Sequence, residues 1–131
     1  MNIMFEDSIN DKVREKYTLL ELDTFRFADS NTTSIAYCLV ENTPITEMFT
    51  IEQFLELHKN LMKNYRLQNW KFCEDALEHL TGKWNGELDT FYNEVNRRIQ
   101  LYKVNDPGPE WDGVIQHAPA DAISDTTKLD R

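Results

Sequence analysis

The sequence predicts an α+β domain: an N-terminal antiparallel β-hairpin packed on a short antiparallel stack of about three helices, then a proline–tryptophan clip and a disordered acidic tail. Three observations lead there. "KYTLLELDTFRF" and "SIAYCLVE" are rich in aromatic and β-branched residues. After Pro44 the apolar period changes from two to 3.6. Past residue 104, "NDPGPEWDGV" breaks the helical pattern with two prolines and two glycines around one tryptophan.

Each element follows in order. A chain of 131 residues supplies one domain with a modest core, and 40% apolar content favours a folded chain over a disordered acidic one. Residues 1–15 are polar with a few apolar points (Ile3, Phe5, Ile9, Val13) and are expected as a flexible arm or a short helix. The hairpin is expected at 16–41. Tyr17, Leu19, Phe25 and Phe27 share one parity in its first strand, and Ile35, Tyr37 and Leu39 share one in its second. The turn formers "ADSNTT" place its tip at 29–32. A helix across "DKVREKYTLLEL" competes, because Val13, Tyr17 and Leu20 also have helical spacing. A lone hairpin is marginal, so it must pack on something.

The helical stack is expected at 50–104. Thr50 and Gln53 form a capping-box signature, and Ile51, Phe54, Leu55, His58, Leu61, Met62 and Tyr65 then keep one face. Asn69 can cap a second helix carrying Trp70, Cys73, Ala76, Leu77 and Leu80, which meets Gly82 at its end. "GKWNG" reads as a turn. From about Glu87 a third helix keeps Leu88, Phe91, Tyr92, Val95, Ile99 and Tyr102 in register. Short links make the three antiparallel neighbours.

The clip spans 105–116. Its prolines, Pro107 and Pro109, pre-set the backbone and lower the entropy cost of docking Trp111, which is expected to be largely buried against the helical face that includes Tyr65, Trp70, Phe91 or Val95. Asp112 and Gly113 supply a turn, and Val114 adds a second apolar foothold. A single domain at 16–117 and a polar tail at 118–131 complete the expected organisation.

Composition narrows the chemistry. A net charge of −9 opposes non-specific binding to nucleic acid or anionic membrane. The apolar runs fall well short of the roughly 20 residues of a membrane helix. The acidic start "MNIMFEDSIND" does not read as a secretory signal, so a cytoplasmic protein with two buried thiols, Cys38 and Cys73, is expected. No glycine-rich phosphate loop or nucleophile elbow is legible. Glu74, Glu78 and His79 lack the spacing of a helical metal site. His58 is expected as a hydrogen-bonded core residue and His117 as a solvated one. No catalytic, cofactor or metal residues are therefore assigned.

The one place where the charge reverses is Lys59, Lys63, Arg66 and Lys71, four cations with no intervening acid. They are the candidate partner-binding face, with Glu56, Glu74 and Asp75 as the acids that would otherwise neutralise them. The expected partner is another protein, an acidic one by preference, or a second copy of the chain; nucleic acid is disfavoured.

"YRLQNWKFCEDALEHL" and "FYNEVNRRIQLYKVNDPGPEWDGV" together resemble the C-terminal segment that follows the catalytic domain in many bacterial adenylate/guanylate cyclases. The matching positions are Tyr65, Trp70, Ala76, Leu77, Leu80, Phe91, Tyr92, Arg98 and Ile99, with Pro107, Pro109, Trp111, Asp112, Gly113 and Val114 as the closing box. The resemblance implies a tetratricopeptide-like accessory module without cyclase activity. A fainter likeness joins the "YTLLELDTF" start to small proteins of marine tailed bacteriophages. The leading expectation is a non-enzymatic interaction module. The rivals are a component of a larger assembly such as a virion, and an enzyme using acids at Glu87, Asp89 and Asp112.

Overall fold

A computed structural model describes residues 1–42 and 48–118. The fold is α+β, with a mixed four-stranded sheet in the order β1-β3-β2-β4. Strand β2 (Tyr17–Phe27) and strand β3 (Thr33–Glu41) pair antiparallel. The turn between them is closed by Asn31 N–H to the Phe27 carbonyl and Phe27 N–H to that of Thr32. This hairpin is the centre of the sheet. Strand β1 (Ile3–Phe5) adds to β3 antiparallel, and strand β4 (Ile115–Ala118) adds to β2 in parallel.

The first 15 residues, expected as a flexible arm or a short helix, are part of the fold and contribute a strand and most of a short helix. Phe5 packs edge-on against Phe25 and Phe27, which gives the short strand an apolar anchor. The Glu6 carboxylate then accepts the Ile35 N–H at 3.2 Å, extending the ladder where the strand stops. Helix α1 (Asp11–Lys16) starts at Asn10, whose side chain accepts the Val13 N–H. The helical reading of this region holds for six residues, and at Tyr17 the chain becomes strand. Since β1 and β2 both run antiparallel to β3, they are parallel to each other, and α1 lies in their crossover.

Strict alternation does not carry through β2. A bulge between Glu21 and Thr24 shifts the parity of β2, so Phe25 joins the face of Leu20 and leaves that of Tyr17 and Leu19. The pairs Leu20–Cys38 and Phe25–Ser34 fix this. Leu20, Leu22, Phe25, Ala36, Cys38 and Val40 form one core with the long helices, while Ile35 and Tyr37 are half-exposed on the other side.

Three helices cover the inner face. Helix α2 (Met48–Arg66) starts ahead of Thr50, so Thr50 lies within it and is not its cap. Helix α3 (Trp70–Leu80) begins at Asn69, whose carbonyl accepts the Cys73 N–H; its side chain binds Asn64 and caps nothing. Helix α4 (Asp89–Val104) follows a turn at 82–88. Leu61, Met62 and Tyr65 from α2 interlock with Cys73, Ala76, Leu77 and Leu80 from α3 and with Phe91, Tyr92, Val95 and Ile99 from α4. Strand β4 takes up residues expected in the clip and the tail; the rest of the expected tail, 119–131, lies outside the described residues. Among the described residues no helix is long and apolar enough to cross a membrane.

Candidate functional site

The clip is built from local hydrogen bonds and then seated by rings. Asp106 Oδ1 accepts the Gly108 N–H and Asp112 Oδ1 accepts the Val114 N–H, both at two-residue spacing. Gln68, in the α2–α3 turn, donates to the Gly108 carbonyl at 2.7 Å. Trp111 lies 5.1 Å from the Tyr65 ring, 5.7 Å from Trp70 and 4.9 Å from Tyr102, so it ties the ends of α2, α3 and α4 together. Of the partners anticipated for it, Tyr65 and Trp70 are reached. Phe91 and Val95 give way to Tyr102, and Trp111 is half-buried where deeper burial was expected. Gly113 adopts φ +81°, with a Cβ position 3.3 Å from both Tyr65 Cε2 and Arg66 Cγ.

The four candidate cations separate into two kinds. Arg66 donates to Glu21 Oε1 at 3.0 Å and Thr24 Oγ1 at 3.2 Å across the bulge, so its charge is spent inside the fold. Lys71 pairs with Asp75 one turn along α3. Glu74, expected to neutralise this group, binds Lys103 and Gln100 instead. Lys59 and Lys63 are exposed and, among the described residues, have no ion pair. They stand four residues apart on α2, and Leu67, 60% exposed, continues the same stripe because its N–H still bonds the Lys63 carbonyl. Sequence reasoning missed Leu67; the i, i+4, i+8 spacing was the available signal.

Two buried polar centres brace the core. His58 is fully buried; its Nε2 lies 2.6 Å from the Glu21 carbonyl and its Nδ1 2.9 Å from the Tyr92 hydroxyl. Because a carbonyl only accepts, Nε2 carries the proton and Nδ1 accepts from Tyr92. Burial pulls the His58 pKa down to about 4, opposed in part by the bond to Glu21. The second centre is Asp23, delivered by the bulge and held bidentate by Arg98 at 2.8 and 3.1 Å. Both cysteines are buried; Cys73 contacts the Leu61 carbonyl through its thiol, which burial pushes up to about 12. His79 is exposed and bonds the Asp75 carbonyl, and His117 falls in β4.

The acids of the enzyme reading do not converge. Asp89 accepts the Gly82 N–H at the start of α4, and Asp112 sits in the clip by the far end of that helix. Sixteen helical residues separate those ends by about 24 Å. Glu87 lines a cavity of about 550 Å³ with Tyr17, Leu39, Glu41 and Asn85. Among the described residues no three His, Cys, Asp or Glu side chains are grouped to hold a metal.

Compared with known proteins, the chain matches no family model, no curated protein and no solved structure.

Proposed function

We propose that the chain is a non-enzymatic protein–protein interaction module whose α2–α4 layer acts as a tetratricopeptide-like accessory unit in the cytoplasm of a bacterium, encoded there by host or phage. The observation that carries this reading is the Lys59–Lys63–Leu67 stripe. Two unpaired cations and an exposed leucine on one helix face, on a chain of net charge −9, suit an acidic protein partner with an apolar anchor. Long-range attraction would bring the partner to the lysines, and the leucine would supply burial. The test is capture from host lysate at rising salt, comparing the native chain with Lys59→Glu/Lys63→Glu. The reading expects an acidic protein lost both at high salt and with the double variant. Capture unaffected by either removes the stripe.

A specific observation also favours an assembly component. Among the described residues, the exposed large apolar side chains Leu67, Phe72, Leu101 and Val104 all belong to the end of the helical layer that Trp111 ties together. Scattered single apolar residues are ordinary, whereas several at one end suit a subunit contact. Light scattering over a concentration series decides it: a monomer at every concentration defeats self-assembly.

A further inference from the structure

Trp84 closes the turn between α3 and α4, at the opposite end of α4 from the clip. It is 7% exposed, its φ is +57° and that of Asn85 is +55°, so two consecutive non-glycine residues occupy the left-handed region. Their neighbours bond only locally: Gly86 N–H to the Lys83 carbonyl, Glu87 N–H to that of Trp84. Two side-chain tethers reach outward. Lys83 places its ammonium 4.8 Å from the Phe54 ring on α2, and the Trp84 indole N–H donates to the Tyr92 hydroxyl at 3.1 Å.

The second tether does not end at Tyr92. The hydroxyl receives the indole N–H and passes its own proton to His58 Nδ1, while His58 Nε2 donates to the Glu21 carbonyl at the bulge of β2. The relay therefore has one direction from the turn to the sheet, and each donor meets one acceptor. From these contacts we infer that the Trp84 turn is a proton-sensitive latch: protonation of His58 breaks the relay and releases the turn while the rest of the fold stays closed.

The mechanism is a donor conflict. A protonated imidazole carries N–H on both nitrogens, so Nδ1 must donate to Tyr92. The Tyr92 oxygen would then receive His58 and Trp84 together, and its own O–H would lose Nδ1, the acceptor it has in the closed relay. A buried donor left unpaired is costly, and the Trp84 contact is the longest of the three links. The turn is also where positive φ favours release. Of the groups facing this centre, the Glu21 carboxylate is engaged by Arg66 and the Asp89 carboxylate by the Gly82 N–H, while Cys38 and Asp89 both face Tyr92. Since Asn85 and Glu87 line the 550 Å³ cavity, release of the turn reshapes that cavity's wall.

The experiment follows the indole N–H signals of the intact, nitrogen-labelled chain by NMR from pH 7 to pH 4.5. The Trp84 signal is expected to lose about tenfold in protection per pH unit below about 6.5, with the backbone amides of Leu61 and Val95 unchanged. His58→Gln, which cannot titrate here, should abolish that dependence. Tyr92→Phe, which cuts the relay while keeping the ring, should leave Trp84 poorly protected at every pH. The latch is overturned if Trp84 keeps its protection at pH 4.5, if it loses it only together with Leu61 and Val95, or if its pH dependence survives in Tyr92→Phe.

Discussion

Trp111 and Trp84 sit at opposite ends of the helical layer and solve one problem by different physics. Trp111 is held by rings: three aromatic partners within 6 Å, with a proline-stiffened approach. Trp84 is buried in the core and adds a directed hydrogen bond, in a turn whose backbone is itself unfavourable. The first arrangement tolerates small shifts, because the burial of apolar surface is non-directional. The second does not, because the relay fails when any one donor changes. The clip end is thus a general seal, and the turn end a chemically specific one.

The comparison breaks first at Trp84. Trp84→Ala empties a nearly closed site and leaves the Tyr92 oxygen without its donor, so a loss of about 4 kcal/mol is expected. Denaturant unfolding measures it. A loss under about 1 kcal/mol would mean that the α3–α4 turn bears little of the fold.

Acid should act on one end only. The folded His58 pKa, about 4, lies below its ordinary 6.5, so the unfolded chain takes up this proton first. The contribution is fully present above pH 6.5, falls between 6.5 and 4, and is flat below that. Its size is about 3 kcal/mol, compared between the native chain and His58→Gln over that window. Parallel curves for the two proteins would show that the imidazole is not what acid attacks.

Trp111→Ala comes next, at about 2–3 kcal/mol, below the full range for a buried aromatic because the ring is half-exposed. Its loss should be the same at pH 7 and pH 5, since its ring partners Tyr65, Trp70 and Tyr102 include no carboxylate or imidazole. An unchanged melting temperature would instead mark Trp111 as a displayed ligand.

The two ends also differ in how far they can be read from sequence. The clip is local: prolines, a tryptophan and a turn within ten residues state its purpose, and helical periodicity names Tyr65 and Trp70 as its seat. The relay joins Glu21, His58, Trp84 and Tyr92 across four elements, and no spacing connects them. His58 was legible as a core histidine, but not its partners. The same limit explains the sheet. The hairpin is a local pattern. The bulge that reverses its inner face, and the strands at Ile3–Phe5 and Ile115–Ala118, depend on contacts with distant chain. The pairing inside the cationic group was illegible for a related reason: sequence gives the sign of Arg66 but not Glu21 beside it.

The smallest effect is the most discriminating, and it concerns how tightly the clip end is packed. Gly108 and Gly113 both hold φ in the left-handed half, at +93° and +81°. Alanine at either position meets the same kind of backbone strain, about 1 kcal/mol. Only at Gly113 would the new methyl also press on neighbours, at 3.3 Å from Tyr65 and Arg66 and 3.5 Å from Trp111; around Gly108 nothing lies within 4 Å. Subtracting the Gly108→Ala loss from the Gly113→Ala loss therefore isolates the squeeze on the clip. A difference of about 1 kcal/mol is expected, the low end for overpacking, because the Arg66 stem can give way. It should vanish when the pair is repeated in Trp111→Ala, where the ring no longer fixes the box against Tyr65. A difference that persists there would assign the crowding to α2 alone, and the seal to the backbone of the clip and not to its tryptophan.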